Sequence, residues 1–355
     1  MIELSLCMAT FNRGHQIGET LACLAGQLGD NVEIVVVDGA SQDDTPEVVG
    51  RYVKDFPAVR YFREAENSGV DRDFDKAVGY ARGEHCWLLS DDDLLAPNAV
   101  ARVLEALDGG AVDLLIVDAE LRDASLTKKL AGRRLSFTGE RTYGPADRDR
   151  FLEDAGRILS FIGGVVVRRS LWLRRDRESY FGSLFIHVGV ILQEPPIERV
   201  KVLGESLVIC RMGNAMWMPR AFEIWGFRWP KLIWSFDRYA PAARRAVTPP
   251  EPWRKLQWVM GYRAIGAYSK DEYRRYFAGP RLRFSRPPLY LSAIFPGKLA
   301  NLIGVCLLAV IERGGRSLIY EMVTCSRFSN PASRQVARLA MKLSPTGLLG
   351  SVKVS

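Results

Sequence analysis

In the segment His85-Cys86-Trp87-Leu88-Leu89-Ser90-Asp91-Asp92-Asp93-Leu94-Leu95-Ala96-Pro97, an apolar stretch runs straight into three adjacent carboxylates, and a proline follows four residues after the last of them. Three acids at the end of a strand repel one another and cost stability unless something cationic sits among them. A divalent ion with a diphosphate attached is the natural partner, because hard cations take oxygen ligands. The segment therefore points to chemistry on a nucleotide-activated substrate.

On the N-terminal side, residues 2–9 (Ile-Glu-Leu-Ser-Leu-Cys-Met-Ala) read as a buried strand, and 15–27 as a helix with Ile17, Leu21, Leu24 and Leu28 on one face. Val32 to Val37 is a β-branched run suited to a strand covered on both faces. It ends in Asp38-Gly39-Ala40-Ser41, and a helix opens near Thr45-Pro46. Val59 to Phe62 reads as a strand, 71–81 as a helix, 98–107 as a helix, and Val112 to Asp118 as a strand. This alternation predicts a doubly wound, mostly parallel α/β sheet. Such sheets bind ligands beyond the carboxyl ends of their strands, where Thr10, Asn12, Asp38 and the acid cluster all fall.

From about residue 120 the rhythm weakens. Residues 122–150 read as a polar loop with short helices, Gly163 to Val167 as a strand entered through two glycines, and Ser206 to Cys210 as a strand. Six of the eight Trp lie within 217–262. The apolar stretch 289–311 is broken by Pro296, Gly297 and Lys298, and the 13 uncharged residues after Lys298 fall short of the roughly 20 needed to span a bilayer.

The net charge of +8 is localised. From Arg283 onward there are ten Lys/Arg and two Asp/Glu, which leaves 39 of each sign in residues 1–282. A basic tail implies an anionic surface, membrane or nucleic acid. On a helix, Val336, Leu339, Ala340 and Leu343 form one stripe, with Arg334, Arg338 and Lys342 opposite, the pattern of a basic amphipathic membrane-surface helix. The six Cys make no Cys-x-x-Cys pair, so neither a zinc site nor a redox motif is expected. The N-terminus shows no basic and apolar leader pattern, so no signal peptide is expected, and the thiols are expected reduced and cytoplasmic.

Three ordered stretches resemble family 2 glycosyltransferases of the GT-A fold: Met8-Ala9-Thr10-Phe11-Asn12-Arg13, Val35 to Thr45, and Trp87 to Pro97. The stretch Asn67-Ser68-Gly69-Val70-Asp71-Arg72-Asp73-Phe74-Asp75-Lys76-Ala77 is similar to O-antigen sugar transferases of the abequosyltransferase type. The resemblance covers about the first 210 residues. It implies a GT-A domain over 1–215, a Trp-rich helical acceptor or linking region over 216–282, and a basic, apolar membrane-attachment region over 283–355.

The resemblance implies that Thr10, Asn12, Arg13 and Ser41 line a nucleotide pocket and that Asp38 accepts from the base edge. Asp38 has a second reading as a turn residue before Gly39. The acids resemble the family's Asp-x-Asp element with Ser90 in place of the first Asp. This leaves Asp92 as the main ligand of Mn2+ or Mg2+, with Asp93 beside it and Asp91 toward the donor. Asp71 and Asp75, four apart on a helix, face the donor sugar or simply complement the helix dipole. Lys76 meets a phosphate or pairs with an acid. Where the family carries its catalytic base this chain has no acid, and His187 takes that position, as base or as a buried, hydrogen-bonded histidine. Arg211, Asn214 and Trp217 are acceptor candidates.

The expected activity is metal-dependent transfer of a sugar, with inversion, from a nucleotide diphosphate sugar to a polyprenyl-diphosphate-linked saccharide. The expected place is the cytoplasmic face of the inner membrane, peripheral or monotopic, with no nucleic acid as partner. A sugar-phosphate nucleotidyltransferase is the alternative, although Thr10 to Gly14 is a poor phosphate loop for it. A nucleic-acid module built on the basic tail is a third class.

Overall fold

The computed structural model describes residues 1–278, 287–311 and 315–343. The chain divides into two units. The first comprises Met1–Glu120, Arg133–Cys210 and Phe236–Val247; the second comprises Leu121–Gly132, Arg211–Ser235 and the described residues from Thr248 onward.

In the first unit, β1 (Leu4–Thr10) lies between β2 (Val32–Asp38) and β4 (His85–Leu89), and β3 (Val59–Arg63) extends the sheet beyond β2. These four strands are parallel, with Thr10 beside Asp38 and Met8 beside Leu89, so their carboxyl ends share one edge. Every residue of β2 and β4 is buried, which is why both are mostly apolar without an alternating polar face. The helices α1 (Gly14–Ala25), α2 (Thr45–Asp55) and α3 (Val70–Tyr80) connect these strands in order, and α4 (Ala99–Leu107) follows the acid segment. Leu6, Met8, Ile34, Val36 and Trp87 from the sheet pack with Ile17, Leu21 and Leu24 from α1 and Val100 and Val103 from α4. The Trp87 indole N–H is satisfied inside this core by the Gly163 carbonyl at 2.8 Å.

Past β4 antiparallel pairs enter the sheet. The path continues through β9 (Val165–Arg168), β6 (Leu114–Arg122), β10 (Val200–Arg211) and the two-residue β5 (Leu94–Leu95). β9 runs antiparallel to both β4 and β6, so antiparallel pairs join the parallel part of the sheet. The region 122–150, expected as loop and short helix, contains two strands: β7 (Lys129–Ala131), paired with the end of β6, and β8 (Glu140–Tyr143), paired with β10. Each is only three or four residues long, too short for alternation to register in a charged stretch. Helices α5 (Arg148–Ala155), α6 (Arg169–Arg174) and α7 (Ile186–Leu192) complete this unit's framework.

The second unit has two small cores of its own. Phe222 is ringed by Trp258, Tyr262, Tyr268, Tyr276 and Phe277, with centroids 4.5 to 6.2 Å away. The other core joins Ala264, Ala300, Val305, Ile319, Met322 and Ala337. It spans position 283, so no separate body begins there among the described residues. The basic helix is Pro331–Leu343. Its packed side is centred on Ser333 and Ala337, while Arg334, Arg338, Lys342 and also Leu339 are exposed. Residues 283–286, 312–314 and 344–355 of the expected attachment region lie outside the described residues.

Candidate active site

The three strand ends are joined by hydrogen bonds from one loop to the next. Asn12 adopts a positive φ of 54°; its amide donates to the Ser41 hydroxyl at 2.8 Å, and its side-chain oxygen accepts from the Gln42 amide at 2.8 Å. The Arg13 amide donates to the Thr45 hydroxyl at 2.9 Å, and the Gly14 amide to the Asp43 carboxylate at 3.0 Å. A Cβ on Gly14 would sit 1.8 Å from an Asp44 carboxylate oxygen and 2.9 Å from the Thr45 amide nitrogen. The close approach of the two loops is therefore what requires glycine there. Arg63 fastens the second loop from behind by donating to the Ser41 carbonyl at 2.7 Å.

The acids meet the first loop directly. The Thr10 hydroxyl donates to Asp91 at 2.7 Å, and the Thr20 hydroxyl donates to the Asp91 carbonyl at 3.1 Å. The Arg13 guanidinium lies 3.5 Å from Asp91 and 3.6 Å from Asp92. The cation that three adjacent acids require is thus supplied, in part, by the protein. These separations exceed hydrogen-bond length, so Arg13 neutralises the cluster without being clamped to it. Ser90, where the family usually carries an acid, donates its hydroxyl to Asp92. Burial pushes the Asp91 carboxyl up to about 7, the Asp92 charge adds to this, and Arg13 and Thr10 oppose it. A carboxyl so raised retains a demand for positive charge.

No group of three His, Cys, Asp or Glu among the described residues closes a protein-only metal cage. A magnesium-like ion is usually held by one or two carboxylates together with substrate phosphates. The hard oxygens of Asp92 and Asp93, both buried and adjacent, fit that kind of site.

Several residues expected to contact the donor have partners within the fold. Asp38 is fully buried and accepts from the Ser41 amide at 2.8 Å and from the Tyr61 hydroxyl, the contacts of its turn reading. Asp71 accepts from the backbone amides of Leu184 at 2.8 Å and Ile186 at 3.1 Å, tying the start of α7 to the start of α3. Asp75 accepts from the Trp172 indole at 2.8 Å and pairs with Arg177. Lys76 pairs with Glu64 at 2.6 Å and donates to Ser68 at 3.1 Å. In each case a buried acid or base has found a partner in the fold, as burial of charge demands.

His187, expected as base or as a buried, hydrogen-bonded histidine, has the second arrangement in the structure. It is buried in α7, its Nε2 bonds the Leu159 carbonyl at 2.7 Å, and its Nδ1 has no partner. Burial lowers its pKa to about 4, against a smaller upward effect of that carbonyl. Unfolded His187 takes a proton near pH 6.5 and the native ring does not until about pH 4. Its contribution to stability is therefore complete above the unfolded pKa and falls by up to about 3 kcal/mol as pH drops through that window. His187→Gln should flatten the dependence of the urea midpoint between pH 7 and 4.5 while leaving the pH–rate profile between 6 and 8 unchanged. A lost alkaline or acid limb in that profile would restore the base assignment.

Arg211, Asn214 and Trp217 belong to the second unit. Arg211 donates to the Ala124 carbonyl at 2.6 Å. Trp217 is 41% exposed, edge-on to Trp225 at 5.9 Å. Inspection of the sequence missed the supporting residues Tyr61, Arg63 and Asp43. It also missed Asp118, a fully buried acid in β6 that accepts from the Arg134 and Leu135 amides at 2.8 and 3.2 Å. An acid directly after the apolar run Leu114–Val117 was the one available signal for it.

Parallel strands that end in a nucleotide-sized edge, an acid cluster after the fourth strand in the sheet path and an antiparallel continuation define a glycosyltransferase of the GT-A fold. Residues 5–171 match the family described as glycosyl transferase family 2, so this segment is a family 2 glycosyltransferase domain. Among curated relatives, the abequosyltransferase RfbV of Salmonella typhimurium is 29% identical over 59% of this chain and 67% of its own. The GalNAc(5)-diNAcBac-PP-undecaprenol beta-1,3-glucosyltransferase of Campylobacter jejuni is 27% identical over 39% of this chain and 46% of its own, so the match spans less than half of that relative. In fold, the chain is similar to S. aureus TarS 1-349 in complex with UDP, at TM-score 0.53 and 16% identity over 82% of this chain and 89% of that one. It is similar also to the mannosyltransferase PcManGT of Pyrobaculum calidifontis in complex with GDP-Man and Mn2+, at TM-score 0.51 and 18% identity over 96% and 87%.

Proposed function

We propose that the protein transfers a sugar from a nucleoside diphosphate sugar to a lipid-linked saccharide in bacterial surface-polysaccharide assembly, with inversion at the anomeric carbon and with Mg2+ or Mn2+ held by Asp92 and Asp93. The observation that carries this is the convergence of Thr10, Asn12, Arg13, Ser41 and the acids 91–93 on one edge, within loops that hydrogen-bond each other. The names of two relatives, an abequosyltransferase and a transferase acting on an undecaprenol-linked saccharide, support the donor and acceptor classes.

In this reading the acceptor hydroxyl oxygen attacks the anomeric carbon and gives up its proton to water as the bond to the β-phosphate oxygen breaks, and the nucleoside diphosphate leaves with the electron pair. Arg13 turns from Asp91 and Asp92 toward the diphosphate oxygens, a small movement for a side chain held at 3.5 to 3.6 Å. Bound metal would neutralise charge developing on the leaving diphosphate. The acceptor's lipid tail places the work at the cytoplasmic face of the inner membrane.

The test is thermal unfolding with UDP, GDP, CDP or TDP, each with and without Mn2+. A nucleotide present at 100 times its Kd stabilises by about 2.7 kcal/mol, a rise of several degrees. One nucleotide should do this, and only with metal. No shift with any of them would overturn the donor assignment, and NMR of the product's anomeric proton tests inversion.

A further inference from the structure

We propose that the bent helix pair Pro287–Ile294 and Gly297–Ile311 dips into one leaflet of an anionic bilayer and does not cross it. The inference deepens the lipid-linked-acceptor reading above by naming the surface that meets the lipid.

The two helices are bent by 100° at the break around Pro296. No single described helix is long and apolar enough to cross a membrane. At 15 residues and about 1.5 Å per residue, Gly297–Ile311 is shorter than the roughly 30 Å hydrocarbon core. It is also not a loose segment. Asn301 is fully buried and donates to the Ala264 carbonyl at 3.1 Å and the Met322 carbonyl at 2.8 Å. A Cβ on Gly304 would stand 3.2 Å from the Met322 sulfur. One side of the helix is therefore fixed into the second unit's core.

The opposite side is apolar and exposed. Leu299, Ile303, Leu307 and Val310 fall at spacings of four, four and three residues, with 46%, 42%, 53% and 83% of their surface accessible. Tyr290, Leu291 and Ile294 are exposed on the preceding helix, whose Leu289, Ser292 and Ala293 are buried. A run of seven large exposed apolar side chains on two consecutive helices is more than a monomer's scattered surface residues. A second copy of the chain is one possible cover for such a face, but charge favours lipid. Lys298, Arg327, Arg334, Arg338 and Lys342 are exposed in the same unit, and residues 283–355 carry ten basic and two acidic groups. Apolar residues on one helix face together with basic residues nearby are what binding at an anionic bilayer surface requires.

The experiment is flotation of the purified full chain with vesicles of phosphatidylcholine alone or with 30% phosphatidylglycerol, neither containing acceptor lipid. The wild type should float with the anionic vesicles and much less with the neutral ones. The double variant Ile303→Glu with Leu307→Glu should lose at least tenfold in bound fraction, with an unchanged melting temperature and unchanged transfer to a water-soluble acceptor analogue. Ile303→Ser with Leu307→Ser, a milder change at the same exposed positions, should lose binding partially. Equal flotation of wild type and both variants would overturn the proposal, as would flotation insensitive to phosphatidylglycerol or a wild-type dimer that the variants dissociate. Because these vesicles carry no acceptor, failure of the lipid-linked-acceptor reading shows only in transfer assays and stays separate from failure here.

Discussion

Asp92→Asn should lower sugar transfer by about 10^2- to 10^3-fold, the range typical when one preorganised charge-stabilising group is removed, with little change in folding. Asn matches Asp in size and retains an oxygen to accept from Ser90. What it loses is the negative charge that would hold a cation against the diphosphate. Two electrostatic changes offset each other in stability: the loose pair with Arg13 at 3.6 Å disappears, and the Asp92 charge no longer raises the Asp91 carboxyl. The melting temperature should therefore move little, and the metal-dependent rise given by the nucleotide should vanish. Full turnover in Asp92→Asn would remove Asp92 from the metal role. A collapse in melting temperature would recast it as a structural residue.

Asp71→Ala should instead destabilise strongly and leave donor affinity nearly intact. The buried carboxylate accepts two backbone amides, from Leu184 and Ile186. Leu184 holds a positive φ of 72°, a conformation that a non-glycine residue keeps only when its surroundings enforce it. Each buried amide left without a partner costs about 1 to 3 kcal/mol, and two together amount to a fall of about 10 °C in a unit of this size. Measured well below that transition, the KM for donor should match the wild type. The contrary result, an unchanged melting temperature with a raised donor KM, would show that Asp71 touches the sugar after all.

These two acids mark where sequence stopped being informative. The acid cluster was legible because three consecutive carboxylates after an apolar strand have few uses, and because β1, β2 and β4 are mostly apolar. The strand-end rule then placed Thr10, Asn12 and the acids on one edge without any knowledge of distances. Asp71, Asp75 and Lys76 looked equally chemical, yet their partners are Leu184, Trp172 and Glu64. Two of those partners lie about a hundred residues away, and sequence spacing says nothing about such contacts. For His187 the choice between base and buried, hydrogen-bonded ring also depends on packing, and only the packed structure shows the ring enclosed with Leu159. The Trp-rich stretch reads as an acceptor or linking region, and within it Trp253 and Trp258 pack around the Phe222 core. An aromatic side chain is written identically whether it faces sugar or another ring.

Arg13 has a consequence for how the protein copes with scarcity. The acid cluster carries a covalently attached counter-charge, so its survival does not wait on an ion from outside. Under the metal role proposed for Asp92 and Asp93, a cell short of manganese or magnesium would keep its stock of folded enzyme and lose only turnover. Activity would then return as soon as the ion did, without new synthesis.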